Sequence, residues 1–241
     1  ILWKFIVFYF ISRNEKNLNE QHFQKLIKSF NIALKWLISF SFHLFDKMFS
    51  PKLSWNDYFT GTPETTLNSS QYSSRQTPSV SSVYVLNSLF NKCTLTSGNG
   101  GALYCSTSVT YLFVESSSFF SCRTNSGRGG AIYFENRNNG QSVLFAVCSN
   151  DFYSTSFGSF AYIIINNAAS NKNYANYTSV VRCDTSSYGE TLHLDNGNIY
   201  CPSVNISINR CSYISGIVCI PFIDSSSVTC SLLYSTFADN S

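Results

Sequence analysis

Ser97-Gly98-Asn99-Gly100-Gly101-Ala102-Leu103-Tyr104-Cys105 and Ser126-Gly127-Arg128-Gly129-Gly130-Ala131-Ile132-Tyr133-Phe134 are one phrase written twice, 29 residues apart. Glycine-rich stretches can cradle phosphates with their backbone N–H groups. Neither copy continues into Gly-Lys-Ser/Thr, and Leu103 stands where a dinucleotide fingerprint opened by Gly98 and Gly100 needs its third glycine. Each glycine run leads into apolar and aromatic residues, so a phosphate loop is set aside. Recurrence at a fixed period points to stacked structural units.

The match extends at the same spacing: Val83 and Val85 recur as Leu112 and Val114, Phe90 as Phe119, and Cys93 as Cys122. A third copy keeps Val143 for the strand, Gly158 for the turn and Ala161-Tyr162-Ile163 in place of Ile132-Tyr133-Phe134. In that copy Ser159 replaces the second glycine, and Cys148 lies three residues before the position where a cysteine is expected. Further on only the rhythm survives, with Gly189 before Leu192-His193-Leu194, then Val204, Ile206 and Ile208, then Gly216 before Ile217 and Val218.

Inside each unit the apolar residues alternate, as in Val204-Asn205-Ile206-Ser207-Ile208, which is the period of a half-buried strand. Ser, Asn and Gly clusters between them read as turns. No segment after about residue 50 carries a helical stripe, which argues against ankyrin, tetratricopeptide and leucine-rich repeats. Strand, turn, strand, turn in roughly 29 residues is one coil of a parallel β-helix, each coil pairing with the next at about 4.8 Å. The fold class expected is therefore all-β, a solenoid over residues 81–241 in which Gly100, Gly101, Gly129, Gly130 and Gly158 turn the repeated corner. Tyr234 to Asn240 reads as the opening of another coil, cut short.

A Phe-x-x-Cys element followed by Gly-Gly-Ala-Ile/Leu-Tyr, here Phe90-Cys93 with Gly100–Tyr104 and Phe119-Cys122 with Gly129–Tyr133, resembles the repeats of polymorphic outer-membrane proteins. It is similar also to the large right-handed β-helix surface families of parasitic protists, which share a pectin-lyase-like architecture. The resemblance is strong over residues 83–134, reaches about 165, and beyond that rests on rhythm. It implies a right-handed coil and a surface or adhesive role, at the cell surface or secreted, with glycans or cell-surface proteins as partners. The motif specifies a fold rather than a reaction.

Of the 241 residues only 12% are charged, about half the usual share. The net charge of +3 is uneven: residues 1–50 hold seven Lys/Arg against three acids, and residues 51–241 hold nine against ten. The β-rich part is near neutral, so no basic surface recommends a nucleic acid. Residues 1–47 behave as a different sequence, with apolar runs at 1–11 and 32–45 too short for a span of about 20 residues and no small-residue cleavage site after them. Met48 is the only methionine, and the expectation is that translation starts there; the alternative is a membrane-associated helical hairpin with an amphipathic helix over 19–45. Either way the segment lies outside the repeat, and residues 48–80, with Pro51, Pro63 and Pro78, form a polar lead-in.

All nine cysteines follow the lead-in, and none lie closer than Cys211 and Cys219, so the close pairs of a zinc site are missing and no metal or cofactor is expected. Cys93 above Cys122 suits a small apolar residue stacked in the interior, at a distance that permits a disulfide without demanding one. Asn68, Asn176 and Asn205 head sequons, usable as glycosylation sites in a secretory compartment. Enzymes on this fold place carboxylates on adjacent coils. In the 29-residue register Glu115 aligns with Leu86 and Leu144, Glu135 with Ser106 and Ile164, and Asp151 with Cys122, so no acid stands over another. His193 and Asp195, two apart on one strand, are the best remaining pair and read as outward polar positions. If Leu103, Ile132 and Ala161 point inward, Tyr104, Tyr133 and Tyr162 point outward on successive coils as a ladder of rings able to bind sugars or a partner protein. The leading expectation is a non-catalytic binding domain, with a polysaccharide lyase or glycosidase as the alternative and a truncated gene copy as the third reading.

Overall fold

The computed structural model describes residues 53–184, 189–211, 214–223 and 229–241. Residues 1–47, on which the helical-hairpin and upstream-start readings fall, lie outside the described residues. From Ser54 onward the chain winds through three parallel sheets, visiting them in the same order once per coil. The first sheet is Thr65–Asn68, Ser82–Leu86, Tyr111–Glu115, Gln141–Phe145, Lys172–Asn176, Asn198–Pro202 and Cys230–Leu233. The second runs Gln71–Tyr72, Leu89–Asn91, Ser118–Phe120, Cys148–Tyr153, Ser179–Asp184, Asn205–Ser207 and Thr236–Ala238, with the short Thr94–Leu95 and Arg123–Thr124 beside it. The third is Leu103–Cys105, Ile132–Glu135, Ala161–Ile164, Glu190–Asp195 and Ile214–Ile220. Five coils contribute a strand to all three sheets, so the expected all-β parallel solenoid is the fold.

Alternation explains the core. Val83 and Val85 lie over Leu112 and Val114, and Phe90 over Phe119, in the expected register. All are fully buried, and the Phe90 and Phe119 rings stack at 4.6 Å and 5°. Burying each such side chain contributes roughly 1.5–3 kcal/mol.

The corners are turned by single residues in the left-handed conformation. Between the first and second sheets these are Ser69, Asn87, Ser116, Ala146, Tyr177, Ser203 and Tyr234; within the second they are Lys92, Ser121, Asp151, Arg182, Ile208 and Asp239. None is glycine, at a cost of roughly 1–2 kcal/mol each, which the ladders on either side offset. The residue after each second-sheet corner faces inward. There Cys122 donates its thiol to the Phe90 and Phe120 carbonyls, and Asn209 donates its amide to the Val180 carbonyl and accepts the Cys183 N–H at 2.7 Å. Cysteine and asparagine recur at this place, where each can donate to a carbonyl beneath it, and Phe152 fills it in the coil between.

The third corner requires glycine. Gly100, Gly129 and Gly158 have φ of 68°, 65° and 66°. A Cβ on Gly100 would sit 2.4 Å from the Leu103 carbonyl oxygen, and one on Gly101 would sit 2.2 Å from that of Gly130. The repeated phrase marks the place where coil presses on coil with no room for a side chain.

The register is not 29 throughout. Six residues, 135–140, link Phe134 to Gln141 where five, 106–110, link Cys105 to Tyr111, so the next coil slips by one. The Asn136 side chain fills that wider turn, donating to the Val109 carbonyl at 2.7 Å and accepting from the N–H groups of Asn138 and Asn139. Leu144, not Val143, therefore continues the core column of Val114, and Phe145, not Leu144, neighbours Glu115. Asp151 likewise stands beside Ser121, whose hydroxyl donates to it at 2.7 Å, rather than beside Cys122, and Phe152 takes the place where a cysteine was expected. Later steps lengthen to 31, from Cys148 to Ser179, and shorten to 26, from Ser179 to Asn205.

The stretch read as a lead-in takes part in the solenoid: Thr65–Asn68 and Gln71–Tyr72 form an incomplete first coil. Before it, a short helix, α1 (Trp55–Tyr58), lies on the outside of the first sheet. Trp55 meets Tyr84, Tyr58 meets Phe113 at 5.1 Å, and Phe59 meets Tyr111 at 4.9 Å. This cover explains why the outward Phe113 is fully buried.

Candidate functional site

The outer face of the third sheet carries the most chemistry. Its inward residues, Leu103, Ile132, Ala161 and Leu192, belong to the main core. Its outward residues Tyr104, Tyr133 and Tyr162 sit in a separate cluster with Ile164 and Phe157. Strand pairing stacks Tyr104 on Tyr133 at 5.4 Å, Tyr133 on Tyr162 at 5.6 Å, and Tyr162 on His193 at 4.6 Å. The ladder thus has four rungs. Its top and flank are covered: the Arg75 guanidinium lies over the Tyr104 ring, and Arg128 lies over Tyr162 and Phe157 while donating to the Tyr162 hydroxyl at 3.1 Å. Tyr133 and Tyr162 are only 7% and 6% exposed, so they offer edges and hydroxyls rather than ring faces.

Charged groups line one border of the ladder. Tyr133 donates its hydroxyl to Glu135, and Arg137 donates Nε to the same carboxylate at 3.0 Å. Burial and then the neighbouring carboxylate push the Tyr133 phenol up, keeping it a donor. The Tyr133 bond, with Arg137 behind it, holds the Glu135 carboxyl below its usual value. Arg137 also reaches Asp195 at 3.9 Å, bridging two acids whose column is interrupted by Ile164. His193 pairs through Nδ1 with the buried Glu190, not with Asp195, and is itself 9% exposed. A β-bulge between Glu190 and Leu192 brings that carboxylate into reach.

Sequence reasoning places the ladder and misses its fittings. Glu190 lies in a strand whose bulge has no sequence mark, and Arg128 and Phe157 belong to turns. The 29-residue phrase does put Arg128 opposite Asn99, whose side chain accepts the Arg128 N–H at 2.9 Å. Among the described residues no group of three or more His, Cys, Asp or Glu is placed to hold a metal ion. No described helix is long and apolar enough to cross a membrane.

Of the sequon asparagines, Asn68 is exposed. Asn176 is buried and donates to the Tyr58 hydroxyl at 3.3 Å, while Asn205 is half-buried and donates to Ser179. A groove of about 260 Å³ lies on the second sheet, lined by Lys92, Thr94, Ser121, Arg123, Asp151 and Tyr153 among others. No protein-family model matches the chain, and neither a curated protein nor a solved structure matches it.

Proposed function

We propose that this chain is a non-catalytic, right-handed β-helix domain of the pectin-lyase-like kind, part of a surface or adhesive protein that binds glycans or a partner protein. The observation that carries this reading is the rigid ladder of four stacked rings bordered by Glu135, Arg137 and Asp195. Such a border offers hydrogen bonds at fixed spacing, one coil apart, beside aromatic edges. Glu135 is already engaged by Tyr133 and Arg137, an arrangement suited to holding a surface rather than to moving protons. The His193–Glu190 pair favours the second reading, a lyase or glycosidase, because a histidine backed by a buried carboxylate is a proton-transfer unit.

A glycan and cell-surface binding screen tests the first reading. Tyr104→Ala together with Arg137→Ala should weaken binding about three- to thirtyfold, since an aromatic contact contributes roughly 0.5–1.5 kcal/mol and an exposed charge somewhat less. Tyr177→Ala, at an exposed corner remote from the ladder, should leave it unchanged. Reproducible cleavage of acidic or neutral polysaccharides, with or without Ca²⁺, abolished by His193→Ala, would replace this reading with the second.

A further inference from the structure

The groove on the second sheet lies on a different face from the ring ladder and has a chemistry of its own. Two columns of side chains line it, each advancing one coil at a time. Lys92, Ser121 and Asp151 are successive corner residues, with φ of 58°, 50° and 64°. Thr94, Arg123 and Tyr153, two residues further along each coil, pair strand to strand in register. Adjacent strands stand about 4.8 Å apart, so the cations Lys92 and Arg123 lie toward the early coils, with Asp151 and Tyr153 on the next coil along. Other cations of the solenoid are committed to the fold. Arg75 donates to the Asn99 carbonyl, Arg128 to the Tyr162 hydroxyl and Arg137 to Glu135, while Lys172 lies over the Phe59 ring. Lys92 and Arg123 are exposed and have no ion-pair partner among the described residues. The acid beside them, Asp151, accepts from the Ser121 hydroxyl at 2.7 Å instead.

We propose that this groove binds one acidic pyranose unit of a glycan, a sugar ring bearing a single carboxylate or sulfate. Lys92 and Arg123 outnumber Asp151, and this local excess of positive charge on a β-region that is otherwise near neutral selects one anionic group. The planar guanidinium of Arg123 matches two oxygens of a carboxylate or sulfate, and the Lys92 ammonium adds a point charge beside it. Ionised Asp151 can only accept hydrogen bonds, so it repels a second anion and takes ring hydroxyls. Tyr153, half-buried, offers flat apolar area to the C–H face of the ring. A bare anion would use the cations alone, and a neutral sugar would leave them unpaired. At about 260 Å³ the groove is smaller than the roughly 300–1,000 Å³ of sites for drug-sized ligands, so it takes one ring and leaves neighbouring units of the glycan outside. The site does not depend on binding at the ring ladder.

The test is a saturation-transfer NMR titration of the full chain with methyl glucuronide, glucose 6-sulfate, methyl glucoside and inorganic sulfate. Both acidic sugars should bind, and the neutral glucoside and free sulfate should bind about tenfold more weakly. Whichever acidic sugar binds tighter identifies the anion. Binding should fall as salt is raised, because both cations are exposed. Lys92→Asn together with Arg123→Gln should weaken both acidic sugars about tenfold; asparagine suits the left-handed corner at Lys92. Asp151→Asn should weaken the sugars roughly threefold and tighten free sulfate, opposite signs that a merely structural role would not give. Tyr104→Ala with Arg137→Ala should leave all four titrations unchanged, so a ladder that fails to bind glycans does not alter this result. Because the four ligands are compared on the unaltered chain, a variant that fails to fold does not obscure the answer. No binding of either acidic sugar, equal binding of the neutral glucoside, free sulfate held as tightly as the sugars, or full binding by a folded Lys92→Asn/Arg123→Gln chain would overturn the proposal.

Discussion

The coils between residues 82 and 135 and those between 190 and 241 continue the same ladders and are held in different ways. In the early pair several columns repeat their residue: Phe90 with Phe119, Cys93 with Cys122 and Gly100 with Gly129, all buried. In the late coils the columns keep their direction and lose their repetition. Ile206 is followed by the half-exposed Phe237, Cys201 by Leu232, and the inward corner passes to Asn209, whose N–H and amide both bond to Asn240 at 3.0 and 3.1 Å. The backbone ladder does not read side-chain identity, so it persists wherever inward apolar residues alternate with outward polar ones and a corner can adopt positive φ. Glycine is required only where backbone meets backbone with no space between.

Core truncation should break the comparison most widely. Phe119→Ala should cost about 4 kcal/mol, because its fully buried ring leaves a cavity between Phe90 and Phe160. Phe237→Ala, in a ring already 47% exposed, should cost roughly 1–2 kcal/mol. Urea unfolding measures both, and equal losses would mean that the late end is as closely packed as the early coils.

The glycine corner comes next. Gly101→Ala should destabilise by about 3 kcal/mol, since its Cβ would meet two backbone carbonyl oxygens, at 2.2 and 2.6 Å. Gly216→Ala, whose nearest neighbour would be 3.8 Å away, should stay within about 0.5 kcal/mol by the same measurement.

The smallest effect concerns acid. Glu135 has a folded-state pKa lowered by Tyr133 and Arg137, so its contribution is present above the ordinary carboxylate value of about 4.3 and is lost as pH falls through the lower folded one. Glu135→Gln should flatten the fall in Tm below about pH 5 by an amount worth a few tenths of a kcal/mol, the scale of a partly exposed ion pair. An unchanged slope would remove Glu135 from the forces that hold the ladder border.

Legibility followed steric demand. The two glycine phrases gave the period because Gly100 and Gly129 occupy the same impossible space for a side chain. The other corners were not visible, since Asn87, Ser116, Ala146, Tyr177 and Ser203 share positive φ and no chemistry. The slip after Asn136 also escaped, because one extra residue in a polar turn leaves both flanking strands looking unchanged while moving Asp151 to Ser121 and Leu144 to Val114. The coil of Thr65–Asn68 and Gln71–Tyr72 was hidden by Pro63, Pro78 and its serines, which satisfy the same strand pattern with fewer apolar residues.

By itself the sequence determined the solenoid, its period over the early coils and the outward direction of Tyr104, Tyr133 and Tyr162, because strand alternation and the glycine corner are local properties of covalent geometry. Only the tertiary structure decided what those rings meet. Arg75, Arg128 and Phe157 come from turns whose paths depend on the coils beside them, and the His193–Glu190 pair depends on a bulge that strand pairing, not local preference, selects. Stacking also sealed Cys122, which has a coil on each side.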